Sequence, residues 1–220
     1  MRPVDRGDNA RVFSDYTEAK GDLLDRLGKY CSYCERPGDL AVEHIEPKSL
    51  YPERLLDWLN YLLACNNCNG IKTDKDTLAS RHLLPDRDNT AHSFLYSLEG
   101  RISINPALSS DDFVAAQRTL ELVGLQRTPP PDPRRRDERW SRRRTIWQLA
   151  EEAQQDLAQN DTQEMRNLIV KLAIGYGFFS VWMTIFMADA DMKHRFLDAF
   201  PGTRRSCFDS QGNCHPALAF

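Results

Sequence analysis

Four of the six cysteines in this 220-residue chain stand in two pairs, Cys31-x-x-Cys34 and Cys65-x-x-Cys68, separated by thirty residues. Four soft thiolates so arranged suit a tetrahedral Zn²⁺ with every coordination position filled, and a closed site of this kind is structural. The ion stands in for a hydrophobic core that about forty-five residues cannot build, so its binding free energy becomes folding free energy. A redox CxxC is the rival reading, but it needs one pair in a thioredoxin-like βαβ setting and leaves the second pair unexplained. The first thirty residues contain no apolar signal-peptide region, so a reducing cytoplasm is expected and disulfides are not. Cys207 and Cys214, even with His215, offer three loosely spaced ligands and no fourth, and read as buried free thiols.

At 41% hydrophobic content the chain can bury one core plus a small metal-held module. Its formal net charge of -3 gives the surface as a whole no attraction for polyanions, so any grip on nucleic acid has to come from local clusters.

Residues 1–29 read as a helical lead-in. Ser14 to Gly28 offers a Ser/Asp start, spaced apolar residues and a glycine stop. Residues 30–80 hold the cysteines and short apolar runs that fit a hairpin followed by a helix. Residues 81–127 are a connecting segment with a helix from Asp111 to Gly124, begun by Ser110 or Asp111. A proline-rich linker from Thr128 to Pro133 cannot continue that helix, and 128–220 reads as a helical region beyond it. There the apolar run Leu168 to Ala188 is long enough to span a bilayer. Lys171 and the glycines argue instead for a core helix bent near Gly175 or Gly177.

Between the cysteine pairs, and just after them, the chain carries EHIEPKS from Glu43 and NYLLACNNCNGIK from Asn60. In this order the motifs resemble the HNH (ββα-metal) endonuclease family, in its four-cysteine branch. The expected fold is α+β, mostly α, with a zinc-bound, treble-clef-like ββα-metal core embedded in a helical body. The resemblance implies hydrolysis of phosphodiester bonds in DNA. Such chemistry needs a nucleophilic water and charge neutralisation on the phosphate. A histidine that titrates near neutrality can take the water's proton, and His44 at the end of a short apolar strand fits that role. The resemblance also implies that Glu43 and the side-chain oxygen of Asn69 hold a catalytic Mg²⁺ or Mn²⁺, and that Asn60 secures the loop carrying His44. Neighbours on a strand point to opposite faces, so Glu43 and His44 would need a twist or bulge to converge on one phosphate. Lys72 and Lys48 are placed to meet backbone phosphates, a solvated surface side chain being the alternative for Lys48. The remaining histidines, His82, His92, His194 and His215, have no such company.

The helix entering YCSYCE, the segment HSFLYSLEGRISINP and the late FPGT…CFD extend the likeness to the HNH subunit of Septu-type anti-phage systems, the PtuB family. That likeness implies a partner ATPase subunit of the PtuA type and no membrane. The chain itself holds no GxxxxGK[ST] motif, so ATP dependence would come from the partner. Seven arginines crowd Arg134 to Arg144, and Arg134, Arg135 and Arg136 are candidate nucleic-acid contacts beside Trp140 as a stacking face. The alternatives are a solvated helix start or a docking face for an acidic partner. Two other functional readings stay open: a catalytically dead zinc module that only binds nucleic acid or protein, and a nuclease acting on RNA, because the motif addresses the phosphate and not the sugar.

Overall fold

The computed structural model describes residues 1–128 and 137–215. Most of the proline-rich linker, together with Arg134, Arg135 and Arg136, lies outside those residues.

The lead-in helix forms as its pattern predicts. Asp15 accepts a hydrogen bond from the Thr17 amide at a short 3-10 turn, and α1 (Ala19–Leu27) follows. Ala19, Leu23 and Leu27 recur every fourth residue and are buried. Gly28, at φ +75°, ends the helix where other residues would be strained.

Strands β1 (Leu40–His44) and β2 (Tyr61–Cys65) pair antiparallel, with Leu40 opposite Cys65 and His44 opposite Tyr61. All five residues of β2 are buried, which explains why its sequence is a continuous apolar run without alternation. Cys65 ends β2 and also caps α2 (Asn66–Lys72), so the chain passes from strand to helix without a loop. The second cysteine pair therefore straddles the strand–helix junction.

The connecting segment holds a short helix α3 (Thr90–Ser93) and a second hairpin that periodicity did not reveal, β3 (Phe94–Tyr96) against β4 (Ile102–Ile104). Strands of three residues are too short to display a period. Helix α4 (Ser110–Val123) starts one residue earlier than expected, because the Ser109 side chain caps the Asp112 amide, and Gly124 closes it in the left-handed conformation.

Beyond the linker come α5 (Arg139–Gln159), α6 (Gln163–Tyr176), α7 (Phe179–Ile185) and α8 (Ala190–Ala199). The long apolar run is broken where α6 meets α7: Gly177 has φ +72° and Phe178 φ +58°. The break docks on the first cysteine pair. A Cβ at Gly177 would lie 2.7 Å from the Glu35 carbonyl oxygen, and the Phe178 amide donates to that oxygen at 3.0 Å. The Glu35 carboxylate in turn accepts from the Ser180 amide at 2.8 Å and the Ser180 hydroxyl at 2.6 Å, satisfying free donors of α7's first turn. Among the described residues no helix is long and apolar enough to cross a membrane.

The buried residues form two clusters. One unites α1, the β1–β2 hairpin, the four cysteines and α4; the other is built from α5 to α8 with Tyr30. The cysteine module is thus part of the main core rather than a satellite beside it.

Candidate active site

The four cysteine sulfurs are buried and lie within 4.8 Å of one another, with Cys34 Sγ and Cys65 Sγ 3.6 Å apart. Zinc–sulfur bonds of about 2.3 Å in a tetrahedron require sulfurs about 3.8 Å apart, so the cluster fits the ion. When bound, Zn²⁺ would tie the turn before β1 to the junction of β2 and α2.

His44, the last residue of β1, is 8% exposed. Its Nε2 lies 3.0 Å from the Leu55 carbonyl oxygen. A carbonyl only accepts, so Nε2 carries the proton and Nδ1 carries the lone pair. The same carbonyl accepts from the Tyr61 hydroxyl at 2.6 Å. The Tyr16 and Tyr61 rings meet the imidazole edge-on, at 4.9 and 5.2 Å between centroids, and fix its plane. Burial lowers the His44 pKa below the ordinary histidine value, and the bond to Leu55 partly opposes this. The imidazole is therefore neutral at pH 7, the form a general base needs.

Asn60 is wholly buried. Its Oδ1 accepts from the Glu46 amide at 2.8 Å, and its Nδ2 donates to the carbonyls of Glu46 at 3.0 Å and Arg54 at 3.2 Å. One amide thus fastens both ends of the 46–54 loop, the loop that leads to the Leu55 carbonyl. Glu46 reinforces the loop through ion pairs to Arg54 and Arg87.

A surface pocket is lined by His44, Asn69, Lys48, Ser49, Tyr16 and Asp74, among others. Lys48 is exposed, donates to the Tyr16 hydroxyl at 3.1 Å and sits 4.2 Å from that ring's centroid. The structure therefore places His44, Asn69 and Lys48 on one pocket. Tyr16, Asp74 and the Leu55 carbonyl were not anticipated. In sequence Tyr16 is only one of the spaced apolar residues between Ser14 and Gly28, and no motif marks the other two.

Two expectations are corrected. Lys72 does not face solvent: it is 0% exposed, and its ammonium donates to the His44 carbonyl at 2.8 Å and pairs with Glu43 Oε1 at 2.7 Å. It is out of reach of a phosphate. Glu43 borders the pocket but is 3% exposed, and its other carboxylate oxygen accepts from the Tyr33 hydroxyl at 2.7 Å. Residues 40–44 of β1 pair one-to-one with β2, with no bulge to turn Glu43 toward the His44 side. Glu43 and Asn69 as placed do not fit a shared divalent ion, because the carboxylate points inward to Lys72 and Tyr33.

Residues 31–75 match the family model of the HNH endonucleases, and they span the cysteine cluster, both strands and α2. Over 87 residues the chain is 34% identical to the Septu protein PtuB of Bacillus thuringiensis, a match covering 36% of this chain and 34% of that protein. The chain thus spans about a third of the length of the curated relative it matches.

Proposed function

We propose that this chain is an HNH endonuclease that hydrolyses phosphodiester bonds in DNA with His44 as general base, and that it serves as the nuclease of a Septu-type anti-phage complex beside a PtuA-type ATPase. The observation that carries the chemical reading is the bond from His44 Nε2 to the Leu55 carbonyl, which leaves Nδ1 as the basic nitrogen of a neutral, pre-oriented ring. In the proposed step Nδ1 takes a proton from water as the water oxygen bonds to phosphorus. One P–O ester bond breaks, and the leaving oxygen gains a proton from solvent. The Lys48 ammonium at the pocket rim offsets phosphate charge, and the Asn69 amide provides a further polar contact. Because the Glu43 carboxylate is held by Lys72 and Tyr33, these roles fall to His44, Lys48 and Asn69.

The defence role rests on the likeness to PtuB, which covers a minority of each chain. The test is co-purification with a PtuA-type ATPase, followed by incubation with supercoiled plasmid and Mg²⁺ or Mn²⁺. Nicking that requires His44 supports the proposal. A complex that binds DNA but cleaves neither DNA nor RNA with either ion supports a zinc binding module instead. Chelation by EDTA in the same assay reads the metal dependence.

A further inference from the structure

The arginine cluster that looks from sequence like a grip on nucleic acid holds two buried members, Arg139 and Arg143, each 2% exposed. Arg139 opens α5, and all five of its guanidinium N–H donors are used. Nε and Nη2 form a fork on the Asp137 carboxylate at 2.8 and 2.6 Å. Nη2 also donates to the Gly124 carbonyl at 3.1 Å, and Nη1 to the Val123 carbonyl at 2.7 Å. The last donor, on Nη1, points to Cys68 Sγ at 3.1 Å.

From this arrangement we infer that Arg139 is a positioning residue of the zinc centre, donating an N–H···S hydrogen bond that holds the Cys68 thiolate as a ligand and offsets its charge. Four thiolates around Zn²⁺ leave two negative charges in a buried site, and unbalanced buried charge is costly. A cation fixed by a carboxylate and two carbonyls stands against Cys68 without collapsing onto it. The carbonyls belong to the end of α4 and its glycine cap, and the cation to the start of α5. Zinc binding is therefore coupled to the packing of α4 and α5 against the cysteine module, in the way that partners of metal ligands tune affinity elsewhere. The inference rests on the reading of the four cysteines as zinc ligands.

The test compares wild type, R139M, R139K and the exposed control R142M. Zinc release to the chromogenic chelator 4-(2-pyridylazo)resorcinol is timed, and the sulfur-to-metal charge-transfer band is recorded after loading with Co²⁺. Lysine keeps the charge, but its single nitrogen is drawn to Asp137 and the two carbonyls, leaving no donor for Cys68. The expected result is zinc release faster on the order of tenfold to a hundredfold in R139K and R139M, with the Co²⁺ band moved to longer wavelength because the thiolate lone pair is no longer stabilised. R142M should match wild type. Should R139M fail to fold, R139K decides. Wild-type release with an unmoved band in R139K overturns the inference, as does faster release without the band shift, which would make Arg139 a packing residue only. A wild-type protein that binds no zinc overturns the cysteine reading and this inference together.

Discussion

The Lys72 ammonium stands 2.7 Å from Glu43 Oε1 inside the hairpin–helix unit, and both side chains are shut off from water. The pair links α2 to β1, and the additional bond from Lys72 to the His44 carbonyl fixes the backbone from which the imidazole projects. Burial pushes the Glu43 carboxyl pKa up, while Lys72 and Tyr33 pull it back. The net direction is upward, because desolvation is the largest of the three effects.

Replacing Lys72 by methionine leaves that burial unopposed. The K72M variant should lose about 3–5 kcal/mol of stability at neutral pH, read by urea denaturation. The sign of its pH dependence follows from the raised carboxyl. The folded state holds a proton that the unfolded chain gives up above the ordinary Glu value of 4.5, so stability falls as pH rises through the folded-state pKa. K72M should therefore be less impaired at pH 5 than at pH 8. An equal loss at both pH values would mean that Glu43 is not held by Lys72.

Asn60 reaches the chemistry only through the loop it fastens. N60A strands buried backbone partners at about 1–3 kcal/mol each, and it lets the Leu55 carbonyl drift from His44. The expected outcome is a lower melting temperature and a kcat reduced by tenfold or more, on the order of the cost of misplacing a catalytic group, with DNA affinity little changed. Weakened affinity at normal kcat would place Asn60 in substrate binding instead.

Lys48 and Lys72 should differ sharply as nucleic-acid contacts. Because Lys48 is exposed at the pocket rim, K48A should leave the fold intact and lower the salt dependence of DNA binding by about one phosphate contact. A fluorescence-anisotropy titration across salt concentrations checks this, and an unchanged slope would remove Lys48 from the interface.

The lowered pKa of His44 predicts the acid limb of the cleavage profile. A base works in its neutral form, so the rate should climb as pH rises, with its midpoint below the ordinary histidine value of 6.5. Y61F weakens the setting of the Leu55 carbonyl and should alter the rate more than the midpoint. A midpoint well above 7 would assign the limb to another group.

The clustering of the four cysteines, the ββα order and the place of His44 at the end of β1 were legible because spacing carries them: two CxxC pairs flank two short apolar runs, and the second pair runs into a helix. The environment of His44 was not legible, since Tyr16, Leu55 and Tyr61 meet the ring only through tertiary folding. Lys72 misled because its place in the motif says nothing of direction, and a long aliphatic stem can carry the charge inward as well as outward. The total charge of the arginine cluster does not tell its described members apart. The signal that separates its members is periodic: Arg139, Arg143, Ile146, Ala150, Ala153 and Leu157 follow one another at alternating steps of four and three, and all six form the buried stripe of α5. The two arginines continue an apolar face, which marks them as buried.

In the proposed step the imidazole of His44 removes the proton from the attacking water. This step is tested most directly by single-turnover plasmid nicking with wild type and H44A, both shown to be folded and zinc-loaded. Loss of cleavage by at least a hundredfold in H44A, with DNA binding retained, is the expected result. Cleavage by H44A at the wild-type rate contradicts the account.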